Sequence, residues 1–250
     1  MKIRVKYRKG DSVRFLSHLD VARVIQMSLR RAGWPVAMTQ GFSPKPKISF
    51  YAPLPVGTAG EEEYFDVVLD SEKIPGSAGK KGSGKGQGRI PTGAGAHGDV
   101  IDLKELKSLA RALSDNMPPG FSVRGVSIVP DQEESLEEKI SASEYEVDIK
   151  GVERDSLVSA VNAFLREHSV LFQIQRPKET KDVDLRPYVL DMDVKLGKPE
   201  PEERAFITMK IKHDAGRTVR PQWVLACLSR FGLQIDPREA VVDRKKVYLD

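Results

Sequence analysis

The 250-residue chain carries 40 Lys and Arg against 36 Asp and Glu, a formal net charge of +4, with 40% hydrophobic residues. That mixture builds buried cores and excludes wholesale disorder, and its mild basicity is compatible with nucleic acid without requiring it. A single cysteine, Cys227, excludes an intrachain disulfide and a cysteine-ligated cluster; with no membrane-length apolar run and no signal-peptide core, we expect a soluble cytoplasmic protein with no membrane association.

The opening KIRVKYR alternates with period two. It predicts a half-buried strand with Ile3, Val5 and Tyr7 inward and Lys2, Arg4, Lys6 and Arg8 on a cationic, solvated face. SHLDVARVIQMSLRRAGW predicts a helix, with Ser17 and Asp20 in a capping arrangement and Gly33 at the stop. Its inward face is expected to hold Leu19, Ala22, Ile25, Leu29 and Ala32, leaving Arg23, Arg30 and Arg31 outside. PVAM and KISFYA read as short extended pieces around the loop TQGFSPKPK. In that loop Pro44 and Pro46 fix backbone dihedrals and Gly41 permits an unusual turn. Phe42 either stacks on a base or plugs the edge of the core.

EEYFDVVLD, Glu62 to Asp70, is a further strand. Residues 75–98 are Gly-rich with no apolar periodicity, so a flexible insert is expected. DLKELKSLARALSDN predicts a helix with Leu103, Leu106, Leu109, Ala110 and Leu113 inward, and FSVRGVSIV a strand. The order is β-α-β-β-α-β, the ferredoxin-like arrangement. The second half repeats it through SEYEVDIK, the helix RDSLVSAVNAFLREH, extended VLFQIQR, DLRPYVLDMDV and RAFITMKIKH, the helix PQWVLACLSRFG, and AVVDRKKVYL. We therefore expect an α+β protein of two tandem ferredoxin-like halves. The first spans 1–130 and the second 143–250, joined by an acidic linker at 131–142.

The four histidines, His18, His97, His168 and His213, show no metal-ligand spacing, and Cys227 sits on an apolar helix face. GSGKGQG, Gly82 to Gly88, lacks the strand and helix of a dinucleotide site, and Gly86 stands where a P-loop needs Ser or Thr. No metal, no cofactor and no catalytic set is expected. The cations carry more information. An open sheet face can bind RNA, and cationic groups release counterions from a polyanion. Candidate RNA contacts are Lys2, Arg4, Arg14, His18, Arg31, Phe42, Lys45 and Lys47 in the first half, and Arg176, Lys178, Arg186, Arg217 and Arg220 in the second. Arg217 and Arg220 precede a helix N-terminus, which itself favours anions.

The stretch VRFLSHLDVARVIQMSLRRAGWPVAMTQGFSPKPKISFYAPLPVG closely resembles the signature of the bacterial radical-SAM-linked proteins, a family of unknown function. DVDLRPYV and GRTVRPQWVL resemble its later motifs, while the insert at 75–98 departs from the compact family pattern. The resemblance implies a chain that occurs alone or fused to a cobalamin-binding radical-SAM enzyme, often encoded near ribonuclease E/G and ribosomal proteins. Lacking a cysteine triad, this chain would be the accessory partner. The expected function is non-catalytic RNA binding that presents tRNA or rRNA to that enzyme or to RNA-processing machinery. Two alternatives stand beside it. Tandem ferredoxin-like halves are similar to CRISPR repeat-processing endonucleases, so a metal-independent endoribonuclease with His18 as general base is one. A scaffold that docks proteins without touching RNA is the other.

Overall fold

A computed structural model describes residues 1–73, 101–130, 133–175, 179–196, 204–214 and 216–250. The expected insert at 75–98, with His97, and the candidate contacts Arg176 and Lys178 lie outside the described residues. The protein is a mixed α+β structure, mostly sheet with a few helices. Its contacts divide the chain into two compact units: Met1–Val56 with Glu61–Leu136, and Gly57–Gly60 with Glu137–Asp250.

The first unit runs β1 (Lys2–Lys9), α1 (His18–Arg31), β2 (Ile48–Phe50), β3 (Thr58–Val68), α2 (Leu103–Asn116) and β4 (Phe121–Val129). Its strands lie in the order β4-β1-β3, with β2 beside β3. β1 pairs antiparallel with β4 from Lys2 opposite Val129 to Lys9 opposite Phe121, and β2 pairs antiparallel with β3 from Ile48 opposite Val67. The period-two apolar set of β1, Ile3, Val5 and Tyr7, is buried with Phe65 and Val67 of β3. α1 begins where expected, the Ser17 hydroxyl accepting from the Asp20 N–H at 3.2 Å. Its buried stripe is Val21, Ile25, Ser28 and Leu29, the i, i+4, i+7, i+8 face, whereas Leu19 precedes that stripe and stays exposed. α2 starts with a capping box between Asp102 and Glu105 and buries Leu106 and Leu113. The Trp34 indole N–H donates to the Leu109 carbonyl at 2.9 Å and so fixes the chain leaving α1 against α2. Before β4, Gly120 adopts φ +91°, and a Cβ there would lie 2.6 Å from Val13 Cγ1, so the close approach demands glycine.

The second unit runs α3 (Leu136–Lys139), β5 (Ile140–Lys150), α4 (Arg154–Arg166), β6 (Leu171–Gln175), β7 (Thr180–Asp184), β8 (Val189–Leu196), β9 (Arg204–Lys212), α5 (Pro221–Leu228) and β10 (Val241–Leu249). Strand order here is β10-β5-β9-β8, all antiparallel, while β6 and β7 form a separate hairpin. Thr58–Gly60, the start of β3, belongs to this unit and pairs in parallel with Val242–Arg244 of β10. α4 buries Leu157, Ala160, Val161 and Phe164, and α5 buries Val224, Leu225, Cys227 and Leu228, all in one core with the inward residues of β5 and β9. Leu136 and Ile140 are buried, so α3 and β5 begin inside the stretch expected as a linker, 131–142.

Candidate functional site

Arg4, Lys6 and Arg8 of β1 meet carboxylates. Arg4 is 7% exposed, and its Nε and Nη2 donate to the two Asp66 carboxylate oxygens at 2.9 and 3.1 Å, while Nη1 reaches Glu133 at 3.1 Å. Burial opposes the Arg4 charge, but Asp66 and Glu133 outweigh it and hold the guanidinium charged more firmly than usual. Lys6 Nζ lies 2.9 Å from Glu62, and Arg8 Nε 2.8 Å from Glu61, which Arg124 also approaches at 3.3 Å. Burial alone raises the Glu61 carboxyl, yet Arg8 and Arg124 pull it below its ordinary range. The period-two pattern locates these cations on one face but is blind to Glu61, Glu62 and Asp66 of β3, which neutralise it. Lys2 is half-buried at the start of the strand.

The segment after α1 begins is the opposite case. Residues 21–56 contain Arg23, Arg30, Arg31, Lys45 and Lys47 and no Asp or Glu. All of those cations are exposed. Arg23 lies 3.4 Å from Asp20 on the exposed first turn. Charge counted residue by residue finds this acid-free run, whereas strand and helix periodicity passes over it.

The loop within that run is pinned. Thr39 N–H donates to the Lys45 carbonyl at 2.8 Å, and Lys45 N–H to Thr39 Oγ1 at 2.9 Å. Lys47 N–H donates to the Ala37 carbonyl at 2.9 Å, and Val68 N–H to the Lys47 carbonyl at 3.0 Å, which ties the loop base to β3. Gly41 takes φ +131°, closed to other L residues without strain. Phe42 is fully exposed at the tip, at 110% relative accessibility, and does not plug the core.

A small cleft of about 10 Å³, room for one water, opens beside the start of α1. Lys9, Glu63, His18, Phe50 and Tyr51 line it. Lys9 is 2% exposed, and its ammonium donates to the carbonyls of Arg14 (2.9 Å) and Leu16 (3.1 Å). Those bonds fix the turn before α1 and thereby the entry of His18, whose ring meets Phe50 edge-on at 5.2 Å. Arg14 itself is buried and pairs with Asp11. Sequence reasoning missed Lys9 and Glu63 because their residue types argue for solvent, although period two sets Lys9 in register with Ile3, Val5 and Tyr7 and Glu63 in register with Phe65 and Val67.

In the second unit Arg186 is half-buried and structural. It donates to the Leu165 carbonyl from Nη2 at 3.1 Å and to the Val189 carbonyl from Nη1 at 2.7 Å, tying the end of α4 to β8. Arg217 and Arg220 are exposed. Arg220 lies over the Trp223 ring, 5.3 Å from its centroid, and Trp223 stacks on Phe172 at 5.7 Å. Ser143 Oγ and His213 Nε2 lie 2.9 Å apart in the core, and burial, with the Arg244 charge, pushes the His213 imidazole down to about 4. Burial pushes the Cys227 thiol up, the reverse of what activates a nucleophile. Among the described residues no group of three His, Cys, Asp or Glu side chains is arranged to hold a metal ion. No described helix is long and apolar enough to cross a membrane.

A family model described as an uncharacterized protein conserved in bacteria (DUF2344) matches residues 2–80 and 88–221. The gap between the matched segments falls in the Gly-rich stretch. No curated protein matches the chain.

Proposed function

The chain belongs to this uncharacterized bacterial family, and from that premise we propose that it is a non-catalytic RNA-binding accessory protein. The observation that carries the reading is the acid-free segment 21–56, with Arg23, Arg30, Arg31, Lys45 and Lys47 exposed and its loop held rigid. Exposed cations on a preorganised loop bind phosphates at low ordering cost and displace counterions. In the first unit Lys2, His18 and Phe42 are accessible or half-accessible, and in the second unit Arg217 and Arg220 are exposed. Arg4, Arg14 and Arg186 are engaged inside the fold, so the proposed contacts leave them out. Strand orders of β4-β1-β3 flanked by β2 and of β10-β5-β9-β8 support reading each half as ferredoxin-like. The radical-SAM-linked resemblance supports a modification enzyme or the RNA-processing machinery as the recipient of the bound tRNA or rRNA.

Filter binding across a salt series tests the proposal. The Lys45→Gln, Lys47→Gln double variant is expected to bind roughly tenfold more weakly, with the slope of log K against log salt reduced by about 1.4–1.8. Wild-type protein that retains no RNA at low salt removes the proposal. Co-purification with the enzyme partner before and after nuclease treatment separates RNA presentation from a scaffold that binds protein alone.

A second reading, a metal-independent endoribonuclease, is favoured by one observation: His18 lines a small cleft together with the buried Lys9 and Glu63. There a histidine would take the proton of a 2′-hydroxyl. RNA left intact by the wild type ends this reading, and a His18→Ala variant that binds but no longer cuts supports it.

A further inference from the structure

We propose that Phe42 is a stacking wedge for an unpaired nucleobase, so that the 39–47 loop selects single-stranded RNA over duplex. This rests on the RNA reading above and adds a substrate class to it. Three features of the loop converge. First, the ring is fully exposed, so both of its faces are open to a planar partner. Second, the tip, residues 40–44, is held before any ligand arrives. The reciprocal Thr39 and Lys45 bonds close it, the Lys47 and Val68 bonds anchor it, Pro44 restricts it from within, and Pro46 restricts the chain just beyond the clamp. An aromatic ring on a stiff support loses little freedom on stacking. Third, Lys45 and Lys47 stand exposed within a few residues of the ring, and no carboxylate occurs in the surrounding segment.

The same features separate Phe42 from the other exposed apolar side chains. Phe15 and Leu19 lie beside the start of α1, close in sequence to Asp11 and Asp20, and not on a clamped tip followed by two lysines. Scattered apolar residues of that kind need no explanation.

The geometry favours unpaired nucleotides for a simple reason. In a duplex the faces of the bases are already stacked on one another, and the A-form major groove is too deep and narrow for a side chain to read. Only an unpaired base offers a free face to Phe42. Every base has such a face, so the contact discriminates strandedness and carries little sequence preference. The neighbouring lysines then meet the phosphates flanking the stacked nucleotide.

The test measures fluorescence-polarisation affinities for a short labelled single-stranded RNA and for the same strand annealed to its complement. Wild-type protein is expected to prefer the single strand. Phe42→Ala is expected to weaken single-strand binding roughly tenfold while leaving duplex binding and the salt slope unchanged, since no charge is removed. Phe42→Trp is expected to keep the preference, and its indole emission to be quenched by the single strand only, relative to wild type with its native tryptophans. Equal affinity of wild type for both RNAs, or a Phe42→Ala variant that binds the single strand as tightly as wild type, overturns the wedge while the cationic RNA reading stands. Failure of wild type to bind either RNA at low salt overturns both.

Discussion

Arg4→Ala is expected to destabilise the protein by about 3–5 kcal/mol, because it leaves Asp66 buried without its cation. The pair is bidentate, and Glu133 closes a third bond. A planar guanidinium satisfies that geometry where a lysine cannot. Urea unfolding is the measurement. The midpoint should fall steeply with the slope unchanged, as the surface exposed on unfolding is nearly the same. The double variant Arg4→Met, Asp66→Leu should recover much of the loss, since the buried carboxylate of Asp66 goes with its cation. An Arg4→Ala midpoint within experimental error of wild type would show that Asp66 is solvated in solution and that the strand's cations are available after all. The same variant also tests the placement of the interface. Folded Arg4→Ala protein at low temperature should bind RNA with the wild-type salt slope.

Acid should destabilise the protein through His213. Its ordinary value is 6.5 and its value in the fold about 4, because burial and then the Arg244 charge disfavour the imidazolium. The folded protein therefore refuses a proton that the unfolded chain accepts. Stability from this group is complete above pH 6.5 and is lost as the pH falls toward 4, at up to about 1.4 kcal/mol per pH unit and about 3 kcal/mol in all. Between about pH 7 and about pH 5 the expected loss is about 2 kcal/mol. His213→Gln, which preserves a polar partner for Ser143 and cannot titrate, should lose that share of the acid dependence. Parallel losses of stability in wild type and His213→Gln across this range would refute the assignment.

These two sites mark where reading the sequence stops. The alternation of KIRVKYR placed Ile3, Val5 and Tyr7 in the core, and the structure buries all three. The Ser17 cap and the α2 start were legible because a cap and its partner lie within one turn. The loop at 39–47 was legible as stiff and basic, although the fate of Phe42 was not, since whether a ring meets a core edge depends on what packs there. His213 continues the inward register of Ala205, Ile207, Met209 and Ile211, but its partner Ser143, a residue 70 positions away, was not legible.

What the sequence by itself determined is local: the strand and helix periods, the caps, the turn residues and the acid-free run from 21 to 56. Only the tertiary structure decided which cations remain available to an anionic partner. Arg4 finds Asp66 across 62 positions and Glu133 across 129, and Arg8 finds Glu61 across 53, whereas Lys45 and Lys47 stand exposed on their loop. Side-chain periodicity is set by bonds within a few residues, but a Coulomb interaction falls with distance in space, and chain order does not contain that distance until the strands have paired.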